Sequence, residues 1–270
     1  MLKLFGLAKS SYFYLKSVSK LPDKYENLRE KIKIFFHDNY DCYGYRRLHF
    51  LLRQERITVS EKVVRRIMTE ESLDAHGKKR NKYNSYIGEI SPEVSNMLKR
   101  DFNAAYPNQK WLTDITEFHI PAGKVYLSPV IDCFDGLTVS WTVETSPNAN
   151  LANTMLDKAI GTPTQNEHPI VHSDRGGHYR WPGWNERMNK AELTRSMSKK
   201  GCSPDNSARE GFFGRLKNEM FYNRSWTCVT IESFINEVNK YLNWYCNKRI
   251  KLSLGGLSPI EYRRKLGYLI

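Results

Sequence analysis

The spacing of apolar residues changes near Lys110, and this change most strongly limits how the chain can fold. Before it, apolar residues recur at helical intervals, as in the stripe formed by Val63, Val64, Ile67 and Met68. After it, the alternate residues of the segment 111–120 fall on one face of an extended strand. The sequence therefore predicts a helical region followed by a region built on a β-sheet.

The first region has the spacing of several short helices. We expect helices over residues 24–37 and 45–55, and a third that begins after Ser60, whose side chain can cap it. Two helices joined by a short turn, with Arg65 and Arg66 projecting from the second, match the helix-turn-helix pattern. Residues 23–73 are therefore predicted to form a helix-turn-helix-like DNA-binding domain. From spacing alone, a small helical bundle with a solvated basic face fits equally well.

Two further segments flank this domain. Residues 1–22 are expected to form an N-terminal stub, and residues 74–105 a basic linker with one short helix over 92–100. The linker contains a run of basic residues that we expect to contact DNA phosphates: Lys78, Lys79, Arg80 and Lys82. A solvated loop is the alternative for this run.

Residues 106–270 combine strands and helices. Strands are predicted over residues 111–120, 124–131, 138–144, 169–172 and 193–196. Helices are predicted over residues 150–160, 207–222 and 231–247. Three antiparallel strands followed by alternating helices and strands indicate an α/β domain with a mixed sheet.

The chain is strongly basic, with 42 Lys and Arg against 29 Asp and Glu and a formal net charge of +13. Such an excess favours a polyanionic partner, with nucleic acid first and an anionic membrane second. The longest apolar stretches, such as residues 4–8, are far shorter than the roughly 20 residues that span a bilayer. No signal peptide is expected at the N-terminus.

The five cysteines are scattered along the chain and never form a C-x-x-C pair: Cys42, Cys133, Cys202, Cys228 and Cys246. We expect reduced thiols packed as small apolar residues, which favours a cytoplasmic location. No His and Cys spacing suits a structural zinc site.

Three acidic residues occupy positions that suit chemistry. Asp114 lies within a predicted strand, Asp174 directly follows another, and Glu210 lies in the first turn of a predicted helix. Each has an ordinary explanation: Asp114 can face solvent, Asp174 can form a turn, and Glu210 can complete a capping box with Ser207.

Taken together, the three acids can meet at one edge of the sheet. Neighbouring carboxylates repel one another unless divalent cations neutralise them, and hard oxygen ligands suit Mg²⁺ or Mn²⁺. Two such ions can activate an attacking oxygen and stabilise a leaving one in phosphoryl transfer. In a basic chain, the expected phosphodiester is DNA or RNA.

The residues around these acids resemble a known family. The segments 111–116 (WLTDIT), 172–176 (HSDRG) and 205–219 (DNSAREGFFGRLKNE) resemble the DDE signature of OrfB-type transposases of the IS3 family, IS150-like group. This group is related to retroviral integrases. Residues 43–48 and 241–259 look like the same family, so the resemblance covers the chain from about residue 40 onward.

This resemblance implies a ribonuclease-H-like core, with Asp114 in its first strand, Asp174 after its fourth strand and Glu210 on its fourth helix. It implies that these three residues are the catalytic residues and the ligands of two Mg²⁺ or Mn²⁺ ions. The implied reaction is DNA cleavage by water and strand transfer by a 3′-hydroxyl at the inverted repeats, without a covalent protein–DNA intermediate. The implied protein works as a homo-oligomer on nucleoid DNA, and an upstream OrfA product is a possible partner.

Residues beside the acids suggest further roles. Lys217 lies on the same helix face as Glu210, where the resemblance implies a contact with DNA near the scissile phosphate. Arg209 can contact DNA or lower the pKa of Glu210. Trp181 and Trp184 can stack on splayed bases, although packing of both against the core is favoured.

Three other polar residues are alternatives or decoys. Asp132 is the substitute ligand if Asp114 fails, and Asp135 is expected in a hairpin turn. His172 can orient Asp174 or can be an ordinary structural histidine. Two other functions are also open: a ribonuclease-H-like nuclease, which would cleave without transfer, and a catalytically dead DNA-binding regulator.

Overall fold

The computed structural model describes residues 8–18, 23–75, 94–163, 167–198 and 207–268. The chain divides into two compact units, Met1–Ala75 and His76–Ile270. Over the described ranges, every helix is too short or too polar to cross a membrane.

The first unit is helical. Its helices are α1 (Lys9–Val18), α2 (Glu26–Asp38), α3 (Tyr45–Gln54) and α4 (Glu61–Glu70). The prediction of the last three is confirmed, whereas no helix was predicted within the stub that contains α1. Ser60 caps α4, because its side chain accepts a hydrogen bond from the Val63 N–H at 3.4 Å. The buried faces of α2, α3 and α4 supply the core of the unit: Ile32, Phe36, Leu48, Leu52, Val64 and Ile67.

The second unit is built on one mixed sheet. Its strands are β1 (Lys110–Thr113), β2 (Thr116–Ile120), β3 (Gly123–Asp132), β4 (Thr138–Glu144), β5 (Ile170–Ser173) and β6 (Thr194–Met197). Strand β3 pairs antiparallel with β4 on one side and with β1 and β2 on the other. Strand β5 runs parallel to β1, and β6 runs parallel to β5. The predicted mixed sheet is confirmed.

The segment predicted as one strand over 111–120 is two strands in the structure. Both keep the same register with β3, since Thr113 pairs with Val130 and Thr116 pairs with Leu127. In that register Asp114 falls opposite Pro129, which has no backbone N–H to donate. The Asp114 carboxylate instead accepts the Ile115 N–H at 2.8 Å. The interruption therefore lies at the acid itself.

Helices of the second unit cover the sheet. They are α5 (Ala149–Ile160), α6 (Pro182–Lys190), α7 (Ser207–Leu216), α8 (Ile231–Asn247) and α9 (Pro259–Lys265). Helix α7 continues into a π-helical turn, Lys217–Phe221, and α6 was not predicted. The second unit also contains a short 3₁₀ turn, Gly177–Tyr179, between β5 and α6. Counted after α5, this turn and α6, α7 is the fourth helical element of the unit in the described part of the chain. One buried cluster packs α5 and α6 on the sheet: Trp111, Val130, Met155, Leu156, Val171, Trp184 and Met188.

The described part of the predicted linker corrects one expectation. Residues 94–100 are not helical; they lie along β6, where the Met97 N–H donates to Ser196 Oγ at 3.0 Å. Leu98 is buried, so this stretch belongs to the core of the second unit. Backbone groups of this stretch form hydrogen bonds with β6, and these take the place of the hydrogen bonds that a helix would form within itself. Residues 76–93, with the run Lys78, Lys79, Arg80 and Lys82, lie outside the described residues.

Candidate active site

Two of the predicted acids lie at the same edge of the sheet because their strands are parallel neighbours. Leu112 of β1 pairs with His172 of β5. Asp114 and Asp174 each follow two residues later, directly after the last residues of β1 and β5, so both lie at the same level of the sheet. The carboxyl ends of parallel strands open into a crevice, which is where ligands bind in such sheets.

Asp114 and Asp174 line one open cleft of about 300 Å³. Both side chains are half-buried. The other residues of the wall come from the strands and from the turn after β5: Ile115, Glu117, Tyr126, Pro147, Gly176, Gly177, His178 and Tyr179. The cleft is therefore open and contains the acidic side chains of Asp114 and Asp174.

Backbone N–H groups fix the orientation of both carboxylates. Asp114 Oδ1 accepts the Ile115 N–H, and Asp174 Oδ1 accepts the Gly176 N–H, each at 2.8 Å. Gly176 is required for its bond, because a Cβ at that position would lie 2.9 Å from Asp174 Oδ1. Because glycine has no side chain, the backbone at Gly176 can approach the Asp174 carboxylate closely.

Glu210 does not line this cleft. It lies half-buried on α7, directly after residues 199–206, which are not described. Among the described residues, no three His, Cys, Asp or Glu side chains are arranged to hold a metal ion. The structure thus places two of the three predicted acids together, and the role of the third stays a prediction.

The donor set fits a hard divalent cation. Asp114 and Asp174 offer carboxylate oxygens from a rigid sheet edge, and Mg²⁺ is commonly bound by one or two carboxylates plus substrate phosphates and water. A further acid that the sequence analysis did not single out, Glu117, also lines the cleft. Its carboxylate lies 3.1 Å from Lys124 Nζ, and hydrogen bonds from Lys124 and Tyr126 lower its pKa. Glu117 is exposed and alternates with the buried residues of β2, so the strand pattern alone indicated a solvent-facing side chain.

Lys217 packs against the sheet. Its Nζ lies 5.5 Å from the ring centroid of Phe118, a cation–π contact, and the side chain is half-buried in the first position of the π-helical turn. Burial lowers the pKa of Lys217, while the charge of Glu117 acts in the opposite direction. The predicted DNA contact stays a prediction. Arg209 lies on α7, but its side chain is outside the description, so its predicted role also stays open.

Asp132 and Asp135 serve the fold. Asp132 pairs with Trp111 at the other end of β1, and both carboxylates are buried against the Arg263 guanidinium at 2.7 Å. Burial raises the pKa of Asp132, and Arg263 opposes this shift. The expectation that Asp132 could replace Asp114 as a ligand is therefore wrong, because Asp132 lies at the opposite end of the strand.

The remaining predicted residues separate into packing and surface groups. His172 is fully buried with Nδ1 2.9 Å from Ser196 Oγ, as the structural alternative predicts. Trp184 is 2% exposed and packs in the core, but Trp181 is 38% exposed, so the core interpretation is correct for only one of the two.

In the first unit, Arg65 and Arg66 project from α4 and are exposed. The Arg65 guanidinium lies 5.8 Å from the Tyr45 ring, and that of Arg66 lies 5.4 Å from the Tyr25 ring. Stacked arginines of this kind keep their charge at the surface, where phosphates can be met. Their DNA contact stays a prediction.

Comparison with known families defines the class of protein. Two family models, both described as an integrase core domain, match residues 104–203 and residues 210–266. A third model, an HTH-like domain, matches residues 23–83. The mixed sheet is thus the sheet of an integrase core domain. The HTH-like match also decides between the two interpretations of the first unit in favour of the helix-turn-helix.

Curated relatives then identify the family. The chain is 57% identical to the probable transposase for insertion sequence element IS1353 of Shigella flexneri, over 97% of this chain and 51% of that protein. It is 41% identical to the putative transposase InsK of IS150 from Escherichia coli (94% of this chain, 88% of that protein). It is 33% identical to transposase InsF of IS3A from the same organism (83% and 77%). The chain belongs to the insertion-sequence transposases of the IS3 family, and it spans about half the length of the IS1353 relative.

Solved structures with a similar chain path include an intasome and an integrase catalytic core domain. A simian T-cell lymphotropic virus intasome in complex with PP2A regulatory subunit B56 gamma aligns with a TM-score of 0.46 at 16% identity, over 82% of this chain and 70% of that one. The HTLV-2 integrase catalytic core domain in complex with magnesium aligns with a TM-score of 0.44 at 18% identity, over 58% and 97%.

Proposed function

We propose that this chain is a DDE transposase that cuts DNA at the inverted-repeat ends of an insertion element and joins the 3′-hydroxyl to target DNA. The observation that most supports this is the register of β1 and β5, which brings Asp114 and Asp174 into one cleft. Membership in the transposase family agrees with this function.

The proposed metal ligands are Asp114, Asp174 and Glu210. A pair of Mg²⁺ or Mn²⁺ ions, when bound, would activate the attacking oxygen and stabilise the leaving one. The backbone N–H groups of Ile115 and Gly176 hold the two aspartates in a fixed orientation, so little reorganisation is needed in the cleft. Glu210 lies in the first turn of α7, and the proposal requires that turn to approach the cleft when the site is complete.

The proposed substrate contacts are basic. Arg65 and Arg66 would meet phosphates from the helix-turn-helix, and the run Lys78–Lys82 would meet them from the linker. Lys217 and Arg209 would contact DNA near the cleft. We further propose a homo-oligomer assembled on nucleoid DNA in the cytoplasm, with the OrfA product as a possible partner.

The test is a cleavage and joining assay with labelled inverted-repeat ends, purified chain and Mg²⁺. Nicked and joined products should form with the wild type and fall at least about 1000-fold with Asp114→Asn, Asp174→Asn or Glu210→Gln, since each removes a ligand of the reacting centre. Asp157→Asn is the matched control, because Asp157 is an exposed acid of α5 paired with Arg187.

The alternatives give different products in the same assay. A ribonuclease-H-like nuclease would nick without joining. A DNA-binding regulator would bind the ends and show no product that depends on the three acids. Joining that survives all three substitutions would contradict the proposed site.

A further inference from the structure

Trp181 is exposed, whereas the other tryptophans of the chain are buried or partly buried. All six tryptophans fall within the described residues, and Trp181 alone is exposed, at 38%. Trp141 and Trp226 are partly buried and donate their indole N–H groups to Asn239 Oδ1 and to the Phe221 carbonyl. Trp181 gives up part of the stabilisation that full burial of an indole provides, so its location is informative.

That location is the rim of the acidic cleft. The Trp181 ring contacts the His178 ring edge-to-face, with centroids 4.8 Å apart and an interplanar angle of 84°. His178 lines the cleft together with Asp114 and Asp174. The exposed indole therefore contacts the wall of the cleft through His178, at what we call the cleft rim.

The segment that presents Trp181 is held firmly on both sides. On one side, Tyr179 is buried and its carbonyl accepts a hydrogen bond from Arg195 at 3.0 Å. On the other, Trp184 is buried and packs edge-to-face on Tyr179 at 5.0 Å. Pro182 occupies the first position of α6, where its fixed φ suits the helix start. The exposed ring is thus preorganised, which reduces the entropy cost of binding a ligand.

An exposed, fixed aromatic ring beside a basic protein's phosphodiester cleft suits one kind of ligand. Aromatic side chains stack on nucleic acid bases without regard to sequence, because every base has a π-face. A base in the interior of a duplex has both faces covered by its neighbours, so it can use such a ring only after it has left the stack. Because a repeat end is continuous with flanking DNA before it is cut, the expected occupant is a base that has left the duplex close to the phosphate being cut.

We propose that Trp181, supported by His178, stacks on an unpaired DNA base beside the Asp114 and Asp174 cleft. This inference rests on the proposed function, since it requires a DNA end in the cleft. It adds that the end is bound with at least one pair opened. Stacking would favour opened ends over intact duplex of the same sequence.

The test is an abasic scan measured by fluorescence anisotropy. The full chain carries Asp174→Asn so that DNA is bound in Mg²⁺ without being cut, and the probe is the labelled terminal repeat of the element with one base removed at a time near the cleavage position. Each tested position carries a mismatch in the intact probe, so that the pair is already open in both probes and only stacking is lost. With Trp181 present, one abasic position should then weaken binding about tenfold. With Trp181→Ala, the intact probe should bind about tenfold more weakly, and that abasic position should have no further effect.

The controls separate stacking from structure. Trp181→Phe should keep the sensitivity to the abasic position, and Tyr106→Ala, which removes a 60% exposed ring that does not line the cleft, should leave it unchanged. Stacking is contradicted if no abasic position matters, or if Trp181→Ala keeps the same sensitivity. Cleavage by the Asp174→Asn protein would instead contradict the proposed function, and it would be visible as shortened probe.

Discussion

Arg249 and Glu219 form a buried ion pair that ties the π-helical turn after α7 to the end of α8. Arg249 Nε donates to Glu219 Oε2 at 2.8 Å, and the Tyr241 hydroxyl donates to the same oxygen at 2.7 Å. Arg249 is 2% exposed and Glu219 is 9% exposed. Because the π turn directly follows α7, this pair anchors the C-terminal end of the helix that bears Glu210.

Removal of one partner should be costly. Glu219→Gln leaves the Arg249 charge buried without its counter-ion, and we expect a loss of about 3–5 kcal/mol in the free energy of unfolding. Chemical denaturation measures this. The double variant with Glu219→Met and Arg249→Met should recover much of the loss, because it leaves no unpaired charge. The exposed pair of Asp157 and Arg187 is the control, and Asp157→Asn should cost less than about 1 kcal/mol. Equal losses at the two sites would contradict the account.

Gly176 should be essential to the cleft in a way that Gly177 is not. Gly176→Ala places a Cβ 2.9 Å from Asp174 Oδ1, so the carboxylate must move, whereas a Cβ at Gly177 meets no atom within 4 Å. A misplaced catalytic group can cost about 100-fold in rate. We expect a loss of this order in joining for Gly176→Ala and a much smaller one for Gly177→Ala, at similar melting temperatures. Equal rates for the two variants would argue against a fixed Asp174.

Cysteine reactivity should differ sharply between two positions. Burial raises the pKa of Cys133 from 9.0 to about 12, whereas Cys228 is exposed. At pH 8 we expect alkylation of Cys228 and protection of Cys133, measured by peptide mass spectrometry. Since the folded state keeps this thiol neutral, its contribution to stability is complete below pH 9 and falls as the pH rises towards 12. Rapid labelling of Cys133 in the folded chain at pH 8 would contradict the raised pKa of this half-buried thiol.

Arg65 should contribute to DNA binding through phosphate contacts. Arg65→Gln should weaken binding to all sequences and reduce the slope of log K against log salt by about one unit. The control is Lys31→Gln, because Lys31 lies on α2 and is paired with Glu55. If Arg65→Gln leaves the slope unchanged, Arg65 makes no phosphate contact in the complex.

Local patterns predicted most of the elements. The stripe that includes Val63 and Ile67 and the cap at Ser60 determine α4, and both are short-range features that a sequence displays directly. The meeting of Asp114 and Asp174 at one edge of the sheet was also predicted in outline, although Asp114 was placed inside a strand and the parallel pairing of β1 with β5 was not predicted. The interruption of the strand at Asp114 depends on Pro129 of another strand, and a single segment does not reveal such a register.

Other features depend on contacts distant in sequence. Glu219 and Arg249 lie on different elements, and nothing in the spacing of either marks it as buried. Trp181 and Trp184 are close in sequence, yet the start of α6 between them sends one ring into the core and the other to the cleft rim. Glu210 was grouped with the two aspartates by resemblance, and its approach to the cleft is the part that the geometry of the sheet does not determine.

The central claim is that two aspartates and one glutamate share divalent ions, and anomalous diffraction at the manganese edge tests it most directly. A crystal of the full chain soaked in Mn²⁺ should show anomalous density between the carboxylates of Asp114 and Asp174, with Glu210 as a further ligand. The density should vanish in crystals of Asp174→Asn. Manganese bound elsewhere, or bound at the aspartates with the Glu210 carboxylate out of reach, would contradict the claim.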